Sequence, residues 1–374
     1  MNTAIKKTPL SVSLYSVLFG LVVGALIMLA FGYNPLQGYT ALLSSALGST
    51  QDIGEVLRAM TPLILTALGF TVASSAGFFN IGLSGQALAG WLIAVWFALV
   101  NPGLSAWLLI PGALILGTLA GAVAGAIPGW LRAQFGASEV IVTIMMNYII
   151  LFVTNNTIQT VMSNKIKDNS EATKLVGNNA SLKLDWLTNL TQGSSISSGI
   201  FISLLVLVLI WFVMNKTTLG FEIRAVGLNP DAARYSGISA KRTAIVAMAI
   251  SGGLAGLAGT IEGLGNYGNI FVQNSAPDIG FNGMSVALLG NSSYLGILAA
   301  AALFSILQIG GLGMPQISGV PFELVNIIIA SIIFFVGANY LIRLLQARVK
   351  EFDEKSAAKE AAKKAEKQAT KGGA

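Results

Sequence analysis

No cysteine and no histidine occur anywhere in this chain of 374 residues. The first absence excludes disulfides and thiolate metal sites. The second removes the commonest metal ligand and the side chain that titrates nearest neutral pH, and hydrolytic zinc chemistry and a histidine proton relay go with it. Charge is scarce too: Asp, Glu, Lys and Arg make up 10% of the residues, against about a quarter in an ordinary soluble domain. No G-x-x-x-x-G-K-[ST] run is present, so the chain has no Walker-type loop with which to cradle ATP. Clusters of carboxylate, histidine or cysteine of a catalytic kind are missing as well, which places a membrane enzyme last among the functional readings and implies no cofactor in this chain.

What the chain has instead is apolar surface. Hydrophobic residues make up 54% of it and the mean hydropathy is +0.73, which marks an integral membrane protein. Its 42 glycines follow no period and suit closely packed membrane helices, where small residues let backbones approach. The net charge of +6 lies in loops and in the tail rather than along one soluble face, so membrane topology explains it better than a nucleic acid polymer does.

A helix needs about 20 apolar residues to cross roughly 30 Å of hydrocarbon. Nine stretches meet that demand: 10–31, 59–79, 81–100, 104–131, 140–162, 196–214, 243–264, 295–312 and 320–345. A tenth, 279–289, is too short to span and is interrupted by Asn282 and Gly283. It reads as a broken or re-entrant segment packed inside protein, because bare backbone cannot face lipid. The fold expected is therefore all-α, a polytopic integral membrane bundle of about ten transmembrane segments with one or more broken or re-entrant helices.

Lys6 and Lys7 before the first stretch fit a signal peptide, but the apolar run is long and no small-x-small cleavage site follows, so the segment reads as an anchor. The positive-inside rule then puts residues 1–9 in the cytoplasm. With the short segment counted as a crossing, the membrane domain covers 10–345, and Arg132, the loop 216–242 and the tail 346–374 all fall on the cytoplasmic side. Both termini of this multi-pass chain are thus expected inside. The loop 163–195 falls outside, where Lys165, Lys167, Lys174 and Lys183 are partly balanced by Asp168, Glu171 and Asp185; loops of this length weigh little in the rule. The Ala/Lys/Glu-rich tail resembles semi-rigid helical spacers, and its excess lysine suits anionic lipid.

Two stretches look alike: "FFNIGLSGQALAG" from Phe78 and "GFNGMSVALLG" from Gly280. The topology sets them on opposite faces, as an inverted repeat requires, and such repeats mark transporters whose sites lie where interrupted helices meet. In so glycine-rich a chain, coincidence reads the same way.

The most polar internal stretch is "GFEIRAVGLNPDAARYSGISAKR", residues 220–242. Asn229, Pro230 and Asp231 supply an N-cap, a first-turn proline and an acid near the positive end of the dipole, so a helix begins there and Gly237 ends it. Upstream, 219–226 forms another short helix closed by Gly227. Isolated helices shorter than about 12 residues are marginal in water. Either a partner holds these two, or they form a capped connector lying on the membrane surface.

Together with that stretch, "FNIGLSGQ" from Phe79 and "GASEVIVTIMMNYI" from Gly136 resemble the membrane permeases of ABC import systems, in the branch similar to bacterial nucleoside uptake permeases. The resemblance covers about residues 60–345. It implies a permease in the bacterial cell membrane that pairs with a second permease and ABC ATPase subunits and receives a small neutral polar solute, a nucleoside, from an extracellular substrate-binding lipoprotein. It also implies that Glu222, Arg224, Asn229, Pro230, Asp231, Arg234 and Tyr235 form the cytoplasmic coupling element seated in the ATPase. Position 84 departs from the branch: Ser84 stands where Glu is frequent, which puts a charge-dependent role there in doubt.

Polar groups inside lipid are costly and usually face a bundle interior or cavity. Asn80 and Gln86 flank the expected helix break, Asn147 lies midway along its span, and Asn282 sits in the short segment. These amides can bond a neutral ring or sugar while Phe79, Trp91 or Tyr148 stacks on it, or they can serve as glue between helices. Glu139 reads as structural, in a first helical turn, and Glu262 as the better candidate for function. Arg58 pairs with Glu55 or Asp52 as an anchor at an outer helix start. The alternatives to a nucleoside importer are the same machinery carrying a sugar or a branched-chain amino acid, and an ion-coupled secondary transporter. The last needs mid-membrane acids or unwound carbonyls, and such acids are scarce here.

Overall fold

The computed structural model describes residues 10–337. Fourteen α-helices follow in order among them: α1 (Leu10–Ala30), α2 (Pro35–Leu47), α3 (Thr50–Ser75), α4 (Leu83–Val100), α5 (Ala106–Phe135), α6 (Glu139–Asn156), α7 (Asp185–Leu190), α8 (Gly199–Lys216), α9 (Thr218–Leu228), α10 (Pro230–Tyr235), α11 (Ala240–Ile261), α12 (Ile279–Leu289), α13 (Tyr294–Ser318) and α14 (Phe322–Gly337). Wider π turns prolong α6 over Thr157–Val161 and α11 over Glu262–Tyr267. Eight helices are long and apolar enough to cross a membrane, while α12 and α14 are shorter. The all-helical, polytopic class expected from hydropathy is the class observed.

The boundaries differ where a hydropathy threshold is blind. Helix α2 was not expected, because it is 13 residues long and falls short of a span. Its signal was local: Asn34 caps it, accepting from the Leu36 and Gln37 amides at 3.0 and 3.4 Å, with Pro35 in the first turn. Helix α3 starts at Thr50 rather than residue 59, because Ser49 caps it by accepting from Asp52 N at 3.1 Å. The expected span 320–345 is described as far as Gly337. The rest of it, the segment 1–9 and the tail 346–374 lie outside the described residues.

Helices α3 and α11 form the axis of the bundle. In their most apolar windows 83% and 78% of residues are buried, against 22% in α1, so α1 lies at the periphery. Helix α11 rests on α5 and α4 through glycines. A Cβ on Gly256 would lie 2.5 Å from the Gly117 carbonyl oxygen and 2.8 Å from Gly121 Cα, and one on Gly252 would lie 2.8 Å from Gly125 Cα. Backbones meet here with no side chain between them. In lipid, where no hydrophobic drive separates helix from solvent, such van der Waals contact is a main source of association.

Between α3 and α4 the chain is not helical over residues 76–82. Gly77, at φ +82°, makes the turn, and Leu83 then begins α4 beside Gly69 of α3. Helix α12 also begins inside the bundle. A Cβ on Gly280 would fall 2.7 Å from Ser84 Cα, so the first turns of α4 and α12 abut. The two look-alike stretches are these two helix starts. From there the helices diverge. Helix α4 runs to the face where Asn179 Nδ2 donates to the Pro102 and Leu104 carbonyls at 3.0 and 2.8 Å. Helix α12 runs to the opposite face, where the Leu289 carbonyl accepts from Ser13 Oγ at 2.7 Å. That second face also carries α9 and α10.

Gly256→Val is expected to force α5 and α11 apart, an overpacking that costs about 1–3 kcal/mol. The thermal unfolding midpoint of the purified protein should drop, whereas Gly103→Ala, with nothing within 4 Å of its new Cβ, should leave it unchanged.

Candidate functional site

Three of the amides singled out in the sequence converge on the break between α3 and α4. Asn80 is fully buried. Its Oδ1 accepts from Gly82 N at 2.9 Å and from Gln86 Nε2 at 3.2 Å, while its Nδ2 donates to Gln86 Oε1 and to Ser251 Oγ, each at 2.9 Å. Asn147 reaches over from α6: its Oδ1 accepts from Gly85 N at 2.8 Å and its Nδ2 donates to the Ile81 carbonyl at 3.0 Å. These bonds satisfy the unwound backbone and the open amides of the first turn of α4, which have no helical partner. Asn80, Gln86 and Asn147 are thus gathered around one another, holding the break together. Ser84 is buried between the two helix starts, with no partner for its Oγ among the described residues. Phe79 packs edge-on against Phe70 at 5.1 Å, and Tyr148 is exposed on α6.

The cavity lies elsewhere. A space of 520 Å³ opens between α3, α4, the end of α11, α12, α13 and α14. One wall is aromatic: Trp91 and Tyr267 are stacked with centroids 4.9 Å apart, and Phe271 meets them edge-on at 5.6 and 5.5 Å. Trp91 Nε1 donates to the Asn269 carbonyl at 2.8 Å, which fixes the indole. The chain after α11 that carries Phe271 and Gln273 is braced from outside. Asn155 clasps the Gln273 backbone, donating to its carbonyl at 2.8 Å and accepting from its amide at 3.1 Å. The loop expected at 163–195 adds Thr173 N to the Ile270 carbonyl at 2.9 Å, Val176 N to the Gly268 carbonyl at 2.7 Å, and Val272 N to the Glu171 carbonyl at 2.7 Å. That long polar loop therefore shapes the cavity wall.

The remaining walls are polar. Amides come from Asn266, Gln273, Asn282, Gln308 and Asn326, and charges from Arg58, Glu262 and Asp278. Arg58 Nε donates to Glu55 at 2.5 Å, and the other oxygen of Glu55 accepts from Ser195 N at 2.6 Å. The anchor expected at the start of α3 is present, with Glu55 as its acid, and the same arginine faces the cavity. Glu262 and Asn266, one turn apart at the end of α11, face this space together with Arg58. The first turn of α12 closes this space from below, its Ile279 carbonyl accepting from Thr66 Oγ1 at 3.1 Å.

Of the residues proposed from sequence to touch cargo, Trp91 and Asn282 line this cavity. Tyr267, Phe271 and Gln273 were missed because they lie in the weakly hydropathic stretch between α11 and α12, which a search for spans skips. Their signal was the density of aromatic and amide residues in "GNYGNIFVQN". Glu139 pairs with Arg132, whose guanidinium sits 5.4 Å over the Phe78 ring, a structural arrangement at the first turn of α6.

The second candidate site is α9 with α10. Asn229 Oδ1 accepts from the Asp231 and Ala232 amides, each at 3.0 Å, and Gly237 ends α10 at φ +83°, as the sequence indicates. Asn229, Pro230, Asp231, Arg234 and Tyr235 are exposed, Glu222 and Arg224 are half-buried, and the inner side is anchored by fully buried Ile223. Tyr235 is 96% exposed, so this pair of helices presents a protruding ring beside charges of both signs. Gly227 touches the end of α3: its added Cβ would lie 2.9 Å from the Ser75 carbonyl carbon. A push on α9 therefore bears directly on the start of the unwound segment.

Asn80→Ala is expected to strand Gln86, Ser251 and Gly82 N in the interior, at about 1–3 kcal/mol for each unsatisfied group. The unfolding midpoint of the purified protein should fall by several degrees, with Tyr148→Ala as a neutral control.

Comparisons with known proteins agree on one kind of molecule. Residues 53–337 match the family described as branched-chain amino acid transport system / permease component. The nucleoside ABC transporter permease protein NupB of Lactococcus lactis is 49% identical over 96% of this chain and 99% of its own. The guanosine ABC transporter permease protein NupP of Bacillus subtilis is 44% identical over 91% of this chain and 97% of its own. The glucose ABC transporter permease protein TsgB13 of Haloferax volcanii is 31% identical over 86% and 85%. No solved structure matches the chain.

Proposed function

The chain belongs to the family of branched-chain amino acid transport system permease components, and we propose that within it this protein is the membrane permease of an ATP-driven importer of nucleosides. The cavity is the cargo's station, reached from one face and left by the other as the bundle alternates. The observation that carries this reading is the aromatic wall of Trp91, Tyr267 and Phe271 facing a set of amides. A planar base stacks on such rings, with about 1–3 kcal/mol per base, and amides bond its edge and the ribose hydroxyls. The names of NupB and NupP support the same cargo.

With no Walker loop of its own, the chain draws its energy from separate ABC ATPase subunits. These grip α9 and α10 in the cytoplasm, where Glu222, Arg224, Asn229, Pro230, Asp231, Arg234 and Tyr235 form the coupling surface. A second permease completes the pore and an extracellular lipoprotein delivers the nucleoside to the face that carries residues 163–195. Both termini lie in the cytoplasm. Asn282 and Trp91 contact the cargo, while Asn80, Gln86 and Asn147 shape the route by holding its broken helix.

Two observations favour other cargoes. TsgB13 is named for glucose, and sugars also stack on aromatic faces; Arg58 and Glu262 on one cavity suit a zwitterionic amino acid. Competition against labelled uridine or guanosine uptake in vesicles holding the complete transporter decides among the three. Unlabelled nucleosides should suppress uptake; suppression by glucose or leucine but by no nucleoside would overturn the reading. Arg224→Glu and Arg234→Glu should each reduce ATP-dependent uptake to background while the protein remains inserted. Full transport in both would make α9 and α10 a connector only.

A further inference from the structure

Two polar groups on the cavity are left incomplete by the protein. Among the described residues Glu262 makes no salt bridge, and Arg58 on the same cavity is held by Glu55. Gln273 Nε2 is buried without a hydrogen-bond partner among the described residues. A carboxylate inside a membrane bundle is costly unless donors reach it, and an orphaned amide N–H is costly unless an acceptor does. Both line the cavity whose wall is the Trp91–Tyr267 stack. The ligand that completes this site is flat, presents N–H donors along one edge and carries an acceptor on the same ring system.

Resting on the nucleoside reading above, we propose that Glu262 is the specificity-determining residue of this permease and selects 6-oxopurine nucleosides, guanosine and inosine. Guanine offers adjacent ring N1–H and exocyclic N2–H donors, a pair that a carboxylate accepts through both oxygens. Its O6 and N7 accept, which suits Gln273 Nε2 and the Arg58 guanidinium. Hypoxanthine keeps the N1–H and the O6 and loses one donor. Adenine and cytosine present a bare ring nitrogen beside their amino group, so one carboxylate oxygen would face a lone pair. A site built around one hydrogen-bonding pattern rejects the wrong pattern strongly, because its own buried groups are then left unpaired.

The isosteric change Glu262→Gln reverses the pattern. A glutamine amide offers one acceptor and one donor, the pair that adenine complements. In vesicles carrying the complete transporter with its binding protein, the ratio of KM for adenosine to KM for guanosine is measured for both forms. The binding protein is common to both, so its own preference cancels. Glu262→Gln should lower that ratio at least tenfold. A ratio that stays the same, or a loss of maximal rate equal for both nucleosides with each KM unaltered, would overturn the proposal and leave Glu262 a structural acid. If Glu262→Gln does not accumulate in the membrane, Gln273→Ala supplies the same readout, with at least a threefold fall expected and an unaltered ratio again fatal. A wild-type transporter that carries no nucleoside would sink the nucleoside reading as well. Nucleoside transport with an insensitive ratio sinks this inference alone.

Discussion

A helix that breaks inside hydrocarbon exposes amides and carbonyls that water cannot reach, and each must find a partner in protein. The rest of this structure depends on how that demand is met between α3 and α4. Asn80 ties the unwound segment to α4 and, through Ser251, to α11; Asn147 ties it to α6. Because the break is satisfied, α4 can begin part-way through the bundle, and α12 can begin against it from the opposite direction. Two helix starts then meet below one space. The restarted α4 then carries Trp91 to the cavity wall, and the first turn of α12 faces the same space.

Glycine gives this arrangement its second condition. The close approach of α11 to α5 and α4 at Gly117, Gly121, Gly252 and Gly256 brings the end of α11, with Glu262 and Tyr267, beside Trp91 of α4. Gly227 does the same at the other face, setting α9 against the last turn of α3. The exposed helices and the interrupted one are therefore mechanical neighbours, joined by backbone contact rather than by long side chains that could give way.

Much of this was legible in the sequence. The apolar runs gave the class and most of the spans, and the Asn-Pro-Asp cap gave α10 to within a residue; the expected break flanked by Asn80 and Gln86 overlaps the unwound segment 76–82, although α3 already ends at Ser75. Helix α2 was not legible to a span-length criterion, although Asn34-Pro35 announces it as plainly as Asn229-Pro230 announces α10. The amides were readable as costly, but not as to which way they would turn. Asn80, Gln86 and Asn147 serve the backbone while Asn282 faces the cavity, a distinction that depends on partners such as Ser251 far away in sequence. The wall built by Tyr267, Phe271 and Gln273 was hidden because the loop 163–195 that braces it pairs with it only in three dimensions.

On the proposed function, cargo rests in this cavity while an ATPase on the opposite face changes its access. Since the chain lacks cysteine, Ala59→Cys places a single thiol of this subunit on the cavity wall, and its rate of modification by a membrane-impermeant maleimide reports access directly. Nucleoside should slow the reaction, and trapping the ATPase with a non-hydrolysable ATP analogue should change it as well. A rate indifferent to both would contradict that function.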